Sequence, residues 1–185
     1  MLGRKDMHSR FARKRRRNSQ SGISMIELLI AGMILVISSL GIMVLISTAI
    51  ATNSRNKIDS TKSMLAGAVL EQIDSTIIGS GTAPLSDCAG NSFTINTAPG
   101  GAALSGSGID FTESSPPANY HMDYVVNSPC DSTGKLQATY DVRWNIQVLS
   151  STNTYLITVG ARLKGISTSN LYFSIPTNVR VMLGN

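Results

Sequence analysis

From Leu28 to Thr52 the chain runs without a charged residue, and the polar positions in that stretch are almost all Ser or Thr. As a helix these residues reach about 37 Å, enough to cross a hydrocarbon core of about 30 Å. Polar residues return after Thr52, but a helical period persists. Ile58, Leu65, Val69, Ile73 and Ile77 recur at steps of seven and four, which leaves Lys57, Lys62, Glu71 and Asp74 largely for other faces. This stripe reads as the seat of a globular domain rather than as a coiled-coil seam. Gly79-Ser80-Gly81 and Pro84 stop the pattern. One continuous helix is expected, its first part long and apolar enough to cross a membrane and its second part seated on a globular domain.

The pattern then changes period. Residues 79–119 are rich in Gly, Ser, Thr and Pro, with short apolar pieces at Phe93–Ile95 and Ile109–Phe111. They read as a long connection holding one or two short strands. Tyr140, Val142, Trp144, Ile146 and Val148 alternate with Asp141, Arg143, Asn145 and Gln147, the period of a half-buried strand. Tyr155, Ile157, Val159, Ala161 and Leu163 repeat it, and Ser150-Ser151-Thr152-Asn153 suits a hairpin loop between the two. Only alternate registers keep both apolar sets on one face. Setting Trp144 against Val159 inside places Asp141 against Arg162 outside, whereas the next permitted register opposes Arg143 to Arg162. The first is expected. Leu171–Val181 predicts a third strand, with Pro176 at an edge or bulge, and His121–Val126 a further one. The fold class is α+β.

Charge alters the picture at one end. The net charge is +5, from sixteen basic and eleven acidic residues. Residues 1–22 hold eight of the basic residues and only Asp6 of the acids, so the remainder has eight and ten, a net of −2. Basicity next to an apolar stretch orients membrane insertion, keeping Arg13–Arg17 cytoplasmic and sending residues after Thr52 across. Arg55 and Lys57 oppose this only weakly. The far side is an oxidising compartment, in which Cys88 and Cys130 form the single possible intramolecular bridge. A net of −2 there argues against nucleic acid, since such affinity rests on neutralising phosphates.

One acid, Glu27, stands near the start of the apolar run. An ordinary secretory signal has an h-region of roughly 7–15 residues and a small-x-small cleavage site. Ala49-Ile50-Ala51 offers such a site, but the run is too long and Glu27 is costly unless hydrated or partnered. The surrounding residues, Gln20-Ser21-Gly22-Ile23-Ser24-Met25-Ile26-Glu27-Leu28-Leu29, resemble the cleavage motif of type IV prepilins. The resemblance implies a cut between Gly22 and Ile23 by a prepilin peptidase, N-methylation of Ile23, and Glu27 as the acid that meets a neighbouring subunit's terminal amine. Ile23 and Met25 replace the commoner Phe and Leu, and Val44 stands where many major pilins have a kinking proline. Gly32 and Gly41 leave open whether the helix loosens.

The resemblance divides the chain into a cleaved leader (1–22), a transmembrane and assembly helix (23–52), its amphipathic continuation (53–78), a variable connection (79–119) and an antiparallel sheet (120–185). Tyr140–Lys164, a Trp-containing strand followed by Tyr-Leu-Ile-Thr-Val-Gly-Ala-Arg, is more loosely similar to the C-terminal half of PilV-like minor pilins and their secretion-system counterparts. A pilin-like fold and a minor subunit of a type IV pilus or type II secretion pseudopilus are implied. Its partners would be other pilin subunits, the prepilin peptidase, an inner-membrane assembly platform and, before assembly, membrane lipid. The implied location is the inner membrane with a periplasmic domain, then the fibre at the cell surface.

Catalytic chemistry is not written in the pattern. Beyond the leader His121 is the only histidine, and the two cysteines have no histidine cluster to form a zinc site. No phosphate loop or nucleophile elbow occurs. Asp87, Asp110, Asp123 and Asp131 lack calcium-loop spacing and read as solvated loop acids. The expectation is a non-enzyme without cofactor or metal. Two other classes stay open: a fibre-tip adhesin or DNA-uptake module binding through 79–119, Arg143, Arg162 and Lys164, and an uncleaved single-pass membrane protein.

Overall fold

The computed structural model describes residues 22–76, 81–149, 154–166 and 175–184. Among the described residues one helix, α1, spans Met25–Asp74. It is followed by strands β1 (Thr82–Ser86), β2 (Ser92–Asn96), β3 (Gly100–Gly101), β4 (Leu104–Ser105), β5 (Gly108–Ile109), β6 (His121–Ser128), β7 (Lys135–Leu149), β8 (Thr154–Ile166) and β9 (Thr177–Gly184). The arrangement is α+β, an apolar N-terminal helix with antiparallel sheet, and it is consistent with a pilin-like fold.

The chain divides into two compact units, the first ending at Thr48 and the second beginning at Ala49. Every described side chain of the first unit is exposed. The helix is unbroken through Gly32, Gly41 and Val44, and it is long and apolar enough to cross a membrane.

In the second unit the rest of α1 lies on a five-stranded sheet in which β3 and β6 pair with β7, β7 with β8, and β8 with β9. Leu65, Ala66, Val69 and Ile73 of α1 share one core with Trp144, Ile146, Ile157 and Val159 of the sheet. Ile58 packs at its margin, and Ile77 lies outside the described residues. The expected stripe thus supplies the core, with one correction. Lys62 is buried, not turned to another face. Its Nζ lies 2.7 Å from the Asp59 carboxylate and donates to the Ile175 carbonyl at 2.7 Å, so a long side chain tethers the approach to β9.

The β7–β8 register is the expected one. Trp144 faces Val159 and Asp141 faces Arg162, with a bulge at Thr139/Tyr140. Leu149 pairs with Thr154, closing the hairpin, while the four loop residues lie outside the described residues. β9 is an edge strand entered from Pro176, which agrees with the predicted edge, although it extends to Gly184 and residues 171–174 are not described. The expected stop at Gly79-Ser80 is also outside the description; α1 ends at Asp74.

Residues 79–119 hold more structure than the one or two strands expected. β1 and β2 form a hairpin whose Ala83 and Ile95 enter the main core. Trp144 Nε1 donates to the Asn96 carbonyl at 3.0 Å and Tyr120 Oη to the Ala98 carbonyl at 2.8 Å, fastening this hairpin to the sheet. β3 then crosses to β7 through Gly101 at a φ of 123°, where a side chain would strike the Trp144 carbonyl and the Tyr120 ring. β4 and β5 form a small hairpin over the other sheet face, where Ala102, Ile109 and Phe111 make a second core.

Candidate functional site

The residues that the motif singles out lie at the start of α1. Gly22, Ile23 and Ser24 precede the helix, and the Ser24 carbonyl accepts the first-turn bond from the Leu28 amide at 3.1 Å. Ser24 is therefore the N-cap. Glu27 falls in the first turn, where the unpaired amides and the macrodipole favour a carboxylate. Ser24 and Glu27 also have the spacing of a capping box. The rule that starts the helix thus also places its acid, a local signal that the motif-based reading did not use.

The Gly22–Ile23 bond lies in exposed backbone ahead of the helix, and Ile23 is 74% exposed. The rival site, Ala49-Ile50-Ala51, lies inside α1, so a peptidase would have to unwind helical backbone to reach it. Between the two sites Met25, Ile26, Leu28, Leu29, Met33 and Leu35 are each more than half exposed, as are the other large apolar side chains to Ile50. A surface this apolar needs lipid or protein cover.

The folded unit places the remaining candidates apart from one another and uses most of them internally. Cys88 and Cys130 are disulfide-bonded, 42 residues apart in sequence. Beside them Asp87 accepts bonds from the Ala89 and Asn91 amides at 2.9 and 2.8 Å and from the Val125 amide at 3.2 Å. The Cys88 amide donates to the Val125 carbonyl, so this corner closes part of the β6 edge. Asp110 and Asp131 each accept from a threonine two residues on, Thr112 and Thr133. These side-chain and backbone bonds hold both carboxyls below the usual aspartate range. Asp123 pairs with Lys164 at 2.6 Å. His121 Nδ1 lies 3.0 Å from the Pro117 carbonyl. Among the described residues no group of three or more His, Cys, Asp or Glu side chains is arranged to hold a metal ion.

Arg143 and Asp141 correct the expectation that they face solvent. They are 5% and 4% exposed. Asp141 Oδ1 and Oδ2 receive Arg143 Nε and Nη2, both at 2.9 Å, and Arg162 adds a second cation at 3.0 Å. Arg143 Nη1 donates to the Glu113 carbonyl at 2.9 Å and the Asp110 carbonyl at 3.3 Å. Both guanidinium groups approach the Phe111 ring, at 5.3 and 4.9 Å. Of the basic residues considered for ligand binding, Arg143 and Arg162 are occupied in holding the segment around Phe111 to the sheet, whereas Lys164 pairs with Asp123.

No protein-family model, curated protein or solved structure matches this chain. Functional inference rests on the residues themselves. On that footing, the segment with unspent chemistry is Gly22–Ile50: a reachable peptide bond, an acid in the first helical turn, and an uncovered apolar surface.

Proposed function

We propose that the chain is a prepilin-like subunit, cut after Gly22, methylated at Ile23 and incorporated through α1 into a type IV pilus or type II secretion pseudopilus as a minor component. The observation that carries this reading is the placement of Glu27. It stands one helical turn from the proposed new terminus and at the head of an apolar surface with no cover of its own. A fresh ammonium at Ile23 and a carboxylate at Glu27 of a neighbour attract strongly in low dielectric, and pairing them lowers the cost of packing both into an apolar bundle. The subunit thereby exchanges lipid for other helices. Before assembly the helix anchors the chain in the inner membrane with its second unit in the periplasm, where the disulfide fits an oxidising compartment.

Glu27 has a second local role as a first-turn helix acid, and one substitution separates the two. Glu27→Gln keeps size and capping capacity but removes the charge. Under the proposed function Glu27→Gln chains insert and are cut but do not enter fibres, as read by immunoblotting of sheared fibre and membrane fractions. Normal incorporation of Glu27→Gln would show that the acid serves the helix alone, and absence of the unsubstituted chain from the sheared fibres would favour an uncleaved membrane protein.

A further inference from the structure

The sheet face turned away from the main core lies under the β4–β5 hairpin and the residues beside it, and several polar groups in that seam are matched. Asn145 Nδ2 donates to the Ala102 carbonyl at 2.9 Å, and the Ile109 amide donates to Asn178 Oδ1 at 2.9 Å. Gly160, opposite Asn178, leaves room for Ile109, whose Cβ would lie 2.9 Å from any Cβ at that position. Hairpin and sheet are therefore in close contact here.

Two atoms of the same seam are not matched. Asn145 Oδ1 and Thr158 Oγ1 are both buried and have no hydrogen-bond partner among the described residues. Thr158 is 0% exposed. The two residues face each other directly in the β7–β8 register, so they share one side of the sheet with their Cβ atoms about 4.5–5.5 Å apart. Burying an acceptor and a hydroxyl without partners is costly, and ordered water is the usual reason that such pairs persist.

The chemistry of the pair selects what joins them. The bond to the Ala102 carbonyl turns the amide nitrogen of Asn145 toward that oxygen, so the atom left over is an acceptor and its partner must donate. The Thr158 hydroxyl can donate or accept. An anion would meet the bare Asn145 oxygen, and a cation would enter a face that already carries Arg143 and Arg180. A small neutral group that both donates and accepts satisfies both atoms. Two hydrogen bonds of about 2.8 Å meeting at one oxygen bridge atoms about 4.5 Å apart, comparable with the spacing of this cross-strand pair.

We infer that Asn145 and Thr158 hold one buried water, which donates to Asn145 Oδ1 and accepts from the Thr158 hydroxyl. It extends the polar fastening that begins at the Ala102 carbonyl across β7 to β8. The site lies wholly within the second unit and is independent of the fate of α1.

Trp144, the only tryptophan, is buried beside Asn145, and its fluorescence reports unfolding of this sheet. Thr158→Val keeps the shape and removes the hydroxyl. A hydroxyl without a partner would be lost at no cost or with a gain in stability. With the water, Thr158→Val is expected to raise the unfolding equilibrium constant of the full chain in detergent about tenfold, as read by urea titration. Asn145→Ala also removes the bond to Ala102, a loss that cancels in a double-mutant cycle. In that background the water has already lost its second partner, and Thr158→Val should change the constant less than about twofold. A neutral or stabilising Thr158→Val, or an equal loss in both backgrounds, overturns the inference. A crystal structure of the unsubstituted full chain decides the matter even where a variant does not fold. An oxygen within about 3.2 Å of both atoms is the expected result, and a dry seam, or a direct bond between Asn145 and Thr158, overturns it.

Discussion

Asp141 shows how much one residue can organise. It neutralises Arg143 in the same strand and Arg162 in the next, and through them the β4–β5 hairpin is held to the sheet. Asp141→Ala leaves Arg143 buried without a counter-charge and is expected to destabilise the domain by about 3–5 kcal/mol. Replacing Asp141 and Arg143 together with apolar residues should cost clearly less, and Arg162→Ala about 1 kcal/mol or less because that side chain is partly hydrated. Denaturant unfolding of the three variants checks the order. The tyrosines set the alkaline limit. Burial pushes Tyr120, Tyr124 and Tyr140 above the ordinary tyrosine range, with Asp87 adding to the effect at Tyr124. Unfolded tyrosines lose their protons near pH about 10 while the folded ones still hold theirs. The unfolded state then binds fewer protons, so stability is full below pH about 10 and falls as pH rises beyond it. Circular dichroism melts between pH 8 and 12, roughly spanning that window, should show the decline, and Tyr140→Phe should reduce its slope.

At the scale of elements, strands and helix were legible where one period served one burial environment. The β7–β8 register followed from parity and from keeping Arg143 away from Arg162, and the structure has it. The second face of β7 departs from this. Alternation marks Asp141 and Arg143 as polar, yet both are buried. Two opposite charges two residues apart share a face and neutralise each other, which lets a small apolar hairpin cover them. That hairpin carries no periodic signal, since β4 and β5 are two residues each. Lys62 escaped for a similar reason. Its partner carbonyl, at Ile175, is 113 residues away and has no sequence signature. Asp87, one residue before Cys88, illustrates the opposite case. Its bonds to Asn91 and Val125 give an acid beside a cysteine a structural role in the corner. The disulfide closes a long loop across this corner. On chain-entropy grounds Cys88→Ser with Cys130→Ser should cost about 4 kcal/mol, measured as the fall in denaturant-unfolding free energy.

At the scale of the molecule, the two units have different solvents. Every buried residue of both cores lies after Ala49. A chain beginning at Thr52 keeps the whole core and is expected to unfold cooperatively in water, in a scan that compares it with the full chain in detergent. Residues 22–50 present apolar side chains outward and need lipid or other helices. The proposed cut at Gly22 removes the +7 leader and leaves a chain of net −2, so the charge that first suggests a polyanion partner belongs to the segment discarded. The candidate site was legible at Gly22, Ile23 and Glu27, since a motif is local. The central claim turns on one bond. Intact-mass and N-terminal fragment analysis of the chain recovered from its native membrane tests it directly. The account predicts a chain that begins at a monomethylated Ile23; a chain beginning at Thr52, or one retaining residues 1–22, would contradict it.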